Sequence, residues 1–158
     1  MTAAEAPVDI LRRSVENVLD AMFFESPNEE PQIVTRPAPG SLTAAVSFDG
    51  SQNGRMLVAM TSATAAALAV NFLGLEEEVS GYLEESTLLE FANICCGSFL
   101  SRLNPHGLFH IRAPQLVATP AGGTDWLAMR LQCGAISFCL EWHRPEWSAA
   151  SPQPARTV

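Results

Sequence analysis

Two polar side chains, Glu90 and Asn93, lie three residues apart in a stretch that is otherwise mainly apolar. At about 100° per residue, a helix would gather both with Ser86, Gly97 and Ser101 in an arc of about 80°. Glu90 offers two anionic hydrogen-bond acceptors, and Asn93 offers a donor and an acceptor without charge. Such a polar stripe on one helix face predicts a binding or catalytic site.

Gly97 lies one turn beyond Asn93. A glycine inside a helix costs about 1 kcal/mol relative to alanine, so its position suggests that something approaches the backbone closely there. The alternative is that Glu90 and Asn93 are an ordinary solvated helix face, and spacing alone leaves both interpretations open.

The opposite side of the same helix is apolar. Its residues fall at core-facing positions of a helical wheel and are Leu88, Phe91, Ala92, Cys95, Phe99 and Leu103. We therefore expect one face of this helix in the core and the polar stripe at the surface.

The pattern Ser-x-x-x-Glu-x-x-Asn, filled by Ser86, Glu90 and Asn93, resembles the signature of the CheC/CheX/FliY family of chemotaxis phosphatases. Gly97 matches a glycine that often follows the asparagine in that family. Pro114 is the candidate for the family's downstream proline, although its distance from Asn93 is slightly shorter than usual. The organisation from about Val8 to Trp142 is similar to the CheX branch.

The resemblance implies a phosphatase that hydrolyses the phospho-aspartate of a CheY-like receiver domain. Asn93 would orient the attacking water and Glu90 would pair with the receiver's active-site lysine. Ser86, Gly97 and Pro114 would contact the substrate. The receiver would supply the magnesium ion, so the chain needs no cofactor or metal of its own.

The resemblance also implies a homodimer. The alternative is a non-catalytic module that keeps the fold and binds a receiver or another signalling component.

Composition agrees with one domain, which we place at residues 8–146 with flexible termini at 1–7 and 147–158. The 158 residues are 47% hydrophobic, which suffices for a single core. No apolar run is long enough to span a bilayer and the N-terminus lacks a secretion pattern, so we expect a cytoplasmic protein. The four cysteines show no Cys-x-x-Cys spacing, which is typical of buried thiols in a reducing compartment.

The charge balance excludes several functions. There are 17 acidic and nine basic residues, and every basic residue is arginine. Without lysine, a P-loop or Schiff-base mechanism is impossible. A net charge of −8 argues against nucleic acid and anionic membranes as partners. His106 and His110 have a metal-ligand spacing only if helical, and Pro105 and Gly107 place them in a turn instead.

The remaining pattern predicts the elements that position the stripe. We expect a first helix over Asp9–Phe24, capped by Asp9, and an irregular connection with a short extended piece at Gln32–Thr35. A second helix should begin after Thr61 or Ser62 and end at Gly74. The predicted longer strands are Leu42–Phe48, Arg55–Met60, Phe109–Thr119, Trp126–Gln132 and Ala135–His143.

This order predicts an α+β domain, with a largely antiparallel sheet and helices on one face. It also resembles an internal pseudo-repeat of two helix-plus-strands units. In the first helix Glu16 is followed three residues later by Leu19 rather than asparagine. Only one site is therefore expected.

Overall fold

The computed structural model describes residues 5–74, 81–122 and 124–142. The helices are α1 (Pro7–Val18), which continues into a π-helical turn (Leu19–Phe23), α2 (Ser62–Leu73) and α3 (Gly81–Leu103). The strands are β1 (Gln32–Val34), β2 (Leu42–Gly50), β3 (Gly54–Met60), β4 (Phe109–Ile111), β5 (Gln115–Val117), β6 (Trp126–Leu131) and β7 (Gly134–Trp142). The prediction for the last strand reached His143, which lies outside the described residues.

The start of α1 corrects the prediction that Asp9 caps it. The N-cap residue is Ala6, which makes no side-chain cap, and Pro7 occupies the first turn. Proline suits this position because its φ is already helical and its missing N–H would have no partner there. Asp9 lies inside the first turn, where its carboxylate interacts favourably with the helix dipole.

Both predicted ends of α2 are confirmed. The Thr61 hydroxyl oxygen accepts a hydrogen bond from the Thr64 backbone N–H at 3.2 Å. At the other end Gly74 adopts a left-handed φ of 69°, a conformation that glycine adopts without a Cβ clash.

The strands form one antiparallel sheet in the order β1-β6-β7-β3-β2-β4, with β5 also paired to β2. The helices pack on one face, where a continuous apolar core joins them to the sheet. A smaller cluster lies on the opposite face and contains Ala45, Leu57, Ala59, Trp126 and Cys139. The predicted α+β class and helix placement are confirmed.

The single strand predicted over Phe109–Thr119 is instead two strands along one edge of β2. Ile111 pairs with Phe48, whereas Gln115 pairs with Ala45. Three residues, 112–114, therefore face two residues of β2, which is a one-residue β-bulge. Pro114 lies in this bulge, where its missing N–H interrupts no regular ladder.

The sheet order supports the predicted pseudo-repeat. β7 and β3 lie at the centre, β6 and β2 flank them, and β1 and the β4–β5 edge lie outermost. The two outer strands also share sequence, since residues 31–38 and 114–121 both read Pro-Gln-x-Val-x-x-Pro-Ala. In the part of the chain that the structure describes, no helix combines the length and apolar character needed to cross a membrane.

Candidate functional site

Helix α3 is enclosed on most of its circumference. Its buried apolar residues are Leu88, Phe91, Ala92, Cys95, Cys96, Phe99 and Leu100. Ser86, Glu90, Asn93, Gly97 and Ser101 are not buried. The predicted division of this helix into a core face and a polar stripe is therefore confirmed, and the stripe is continuous over four turns.

Aromatic contacts fix the rotation of α3. Phe91 packs edge-on against Phe23 of the π-helical turn, with ring centroids 5.2 Å apart, and lies 6.1 Å from the Phe138 ring of β7. Two turns later, the Phe99 ring lies 6.1 Å from that of Trp142. Because these large side chains are held in a close-packed core, α3 cannot turn to bury its polar stripe.

Glu90 is exposed, whereas Asn93 and Ser86 are half-buried. Within the described residues, none of these three side chains forms a hydrogen bond or an ion pair. Charged groups elsewhere on the surface do find partners, as Arg112 does with Asp49 at 2.8 Å. The carboxylate, the carboxamide and the hydroxyl therefore retain their hydrogen-bonding capacity for a partner molecule.

Gly97 provides open space at the C-terminal end of this group. A Cβ built on it would have one non-local neighbour within 4 Å in the described structure, Ile111 Cδ1 at 3.9 Å. The sequence suggested a close approach to this backbone, and no described part of the chain makes one. The glycine is thus not required by internal packing and leaves room for an external group.

Pro114 is half-buried in the bulge, and α3 packs against the adjoining β5. The Arg112 backbone N–H donates to the Ser47 carbonyl at 2.9 Å, and its guanidinium donates to Asp49 at 2.8 Å. These contacts hold the bulge on β2. The structure therefore brings Pro114 to the sheet edge that borders α3.

The corresponding positions on α1 differ from those on α3. Glu16 is paired with Arg12 at 3.5 Å, and Leu19 is fully buried in the main core. A core leucine thus stands where α3 presents an accessible amide, and α1 does not repeat the polar group.

Among the residues that the structure describes, the other reactive side chains form no second cluster. His106 and His110 are exposed, and the described residues contain no group of three or more histidine, cysteine or acidic residues able to hold a metal. Burial raises the pKa of Cys96 to about 12 and, more than neighbouring charges do, that of Cys139 to about 11. These thiols are therefore poor nucleophiles near neutral pH.

The alternation of apolar and polar residues used to predict strands did not show that the two edge strands, β1 and β5, are equivalent. The shared Pro-Gln-x-Val-x-x-Pro-Ala sequence could have revealed it, because a repeat of this length is independent of secondary-structure periodicity. The shared sequence aligns Leu116 of edge strand β5 with Ile33 of edge strand β1.

Comparison with family models finds a match described as chemotaxis phosphatase CheX, over residues 42–125. This range covers just over half of the chain and includes the whole stripe and Pro114. A comparison with curated protein sequences gives no match.

Solved structures share the fold. A putative chemotaxis protein from Desulfovibrio vulgaris Hildenborough superimposes with a TM-score of 0.69 at 19% identity, over 89% of this chain and 100% of the other. CheX from Borrelia burgdorferi, solved as a complex with CheY, BeF3 and Mg, gives 0.68 at 19% identity, over 88% and 99%. CheX from Desulfovibrio desulfuricans gives 0.66 at 22% identity, over 85% and 99%.

Proposed function

The chain belongs to the family of the chemotaxis phosphatase CheX, and we propose that it hydrolyses the phospho-aspartate of a CheY-like receiver domain. The similar CheX from Borrelia burgdorferi has been solved bound to CheY with BeF3 and Mg, which supports a receiver as the partner of this fold. We also propose that the protein is cytoplasmic, where it would meet such a receiver.

One observation carries the proposal. Glu90 and Asn93 lie on the accessible stripe of α3, unpaired within the described structure, and the open surface of Gly97 adjoins them. A glycine weakens the helix by about 1 kcal/mol, and a helix face that only contacts solvent gains nothing in return. On a surface that binds a partner, the glycine provides the space that the partner needs.

Asn93 acts in the chemical step of this proposal. An acyl phosphate is already activated, so its hydrolysis chiefly requires a water held in line with the phosphorus–carboxylate bond. The Asn93 carbonyl oxygen accepts a hydrogen bond from that water. The water oxygen bonds to phosphorus, the bond to the aspartate oxygen breaks, and the products are inorganic phosphate and free aspartate. The neutral amide adds no negative charge beside the phosphoryl group.

Glu90 serves docking rather than bond breaking. Its exposed carboxylate can pair with the receiver's active-site lysine and so fix the angle at which Asn93 enters. Ser86 lies at one end of the stripe and Pro114 at the adjoining sheet edge, and both contact the receiver surface. The magnesium ion belongs to the receiver in this proposal, and the chain contributes no metal ligand. We further propose that the protein works as a homodimer.

The test is the loss of radiolabelled phosphate from a phosphorylated stand-alone receiver of the same organism, with and without the protein. Accelerated release of inorganic phosphate supports the phosphatase. Measurable binding to a receiver without acceleration would instead identify a non-catalytic interaction module that keeps the family fold.

A further inference from the structure

We propose that Leu116, on edge strand β5, is a recognition residue that contacts the receiver domain beside Glu90 and Asn93. The inference rests on the proposed function, since it assigns a further contact to the same partner. It concerns affinity for the receiver and not the chemical step.

The sheet register places Leu116 on the helix side of the sheet. It pairs with Ala44, which belongs to the core between the sheet and the helices. Most large apolar residues on that side are covered, yet Leu116 is 41% exposed. The exposed part of this side chain therefore lies at the outer border of the surface that carries the polar stripe.

The edge strands run alongside the stripe. α3 ends at Leu103, and a short turn reverses the chain into β4, so the β4–β5 edge runs back along the helix. A Cβ built on Gly97 would lie 3.9 Å from Ile111 Cδ1, so these two positions are neighbours at one end of the edge. From there, the β2 partners of Ile111 and Leu116 are Phe48 and Ala44, which lie four residues apart. Four residues of strand cover about 13 Å, and about nine residues of helix back from Gly97 cover the same. Leu116 thus lies beside the half of the stripe that contains Glu90.

A receiver seated on the stripe must also cover this edge. The exposed arc of α3 is at most about 10 Å wide, the diameter of one helix, whereas a specific protein interface takes about 800 Å² from each partner. A footprint of that size extends beyond α3 onto the sheet edge that packs against it. Burial of the exposed leucine surface would then add to affinity.

The chain contains its own matched control. Ile33 occupies the equivalent place in the repeated sequence and in the opposite edge strand β1, where it pairs with Leu127 of the same core. It is 59% exposed. This edge borders α1, and Leu19 stands where α3 has Asn93. Ile33 is therefore an exposed apolar edge residue that is not beside the stripe.

The experiment measures the Kd for a receiver held with beryllium fluoride and magnesium, by titration, for the parent protein, Leu116→Ser, Leu116→Met and Ile33→Ser. Circular dichroism and thermal unfolding verify that each variant is folded. We expect Leu116→Ser to weaken binding about fivefold to tenfold. Leu116→Met should restore most of the affinity because it keeps the apolar volume, and Ile33→Ser should bind as the parent does.

An unchanged Kd for Leu116→Ser, or an equal loss for Ile33→Ser, overturns the inference. Phosphate release measured on the same proteins separates the two hypotheses. If receiver binding depends on Leu116 but hydrolysis is not accelerated, Leu116 is a recognition residue and the proposed phosphatase activity is wrong. If the parent binds no receiver, both are wrong.

Discussion

Glu90, Asn93 and Gly97 differ in what each contributes at the residue scale. The two polar side chains supply hydrogen-bonding groups that remain unpaired within the described structure, while the glycine supplies space. Their common face followed from the sequence because helical spacing dictates it. That a Cβ added at Gly97 would have only Ile111 as a non-local neighbour within 4 Å in the described structure could not be predicted, since it depends on how the β4 edge packs against α3.

Gly97→Ala should change stability and activity in opposite directions. The new methyl group fits the structure, at ordinary contact distance from Ile111, and alanine favours a helix interior by up to about 1 kcal/mol. We expect urea unfolding to show a free energy of unfolding higher by about 0.5–1 kcal/mol. Receiver dephosphorylation should fall, because the methyl group occupies space that the partner needs.

A variant that is more stable and equally active would show that no partner approaches Gly97. A less stable variant would contradict the packing described for this position.

At the scale of elements, short sequence signals predicted the features that neighbouring residues determine, such as the ends of a helix. The Thr61 cap and the Gly74 stop of α2 were correct, as was the short strand near Gln32. Asp9 was wrongly assigned as a cap, because Pro7 begins the helix earlier. The break between β4 and β5 was missed because it is a mismatch of register with β2, and register depends on a strand distant in sequence.

The two repeats differ at the position of the amide, where α3 has Asn93 and the first repeat has Leu19. Leu19 is fully buried, so Leu19→Asn would bury an amide in an apolar site and remove core volume. We expect it to cost about 3 kcal/mol or more without creating a second active site. Denaturant unfolding measures the cost, and the exposed neighbouring substitution Asp20→Asn is the control.

Equal stability of Leu19→Asn and Asp20→Asn would show that this position is not held in the core. A gain in phosphatase activity for Leu19→Asn would show that α1 can present an active amide after all.

For the whole molecule, the buried and half-buried cysteines predict a pH dependence of stability. Desolvation raises the pKa of Cys96 to about 12, and it is the largest cause that raises the pKa of Cys133 and of Cys139 to about 11. Thiols in the unfolded chain ionise at about pH 8.5. The unfolded state therefore loses these protons first, and the folded state loses stability as pH rises above that value.

We expect the free energy of unfolding to be unaffected by the thiols below about pH 8 and to fall between about pH 8.5 and 11, by up to about 1.4 kcal/mol per unit for each thiol. The sequence has no lysine and one tyrosine, so few other side chains titrate in this range. Urea unfolding at pH 7.5, 9 and 10 measures the effect, with Cys96→Ala as the variant that should reduce the slope. Constant stability from pH 8 to 10 would contradict the burial of these thiols.

The central claim is that Asn93 positions the attacking water on a receiver phospho-aspartate. The most direct measurement is the rate of phosphate loss from a phosphorylated receiver at saturating protein, comparing the parent with Asn93→Ala and with Asn17→Ala, an exposed asparagine on α1. Saturation removes differences in binding. We predict that Asn93→Ala lowers this rate by about 10²-fold or more, while Asn17→Ala and the fold are unaffected. A parent-like rate for Asn93→Ala would contradict the account.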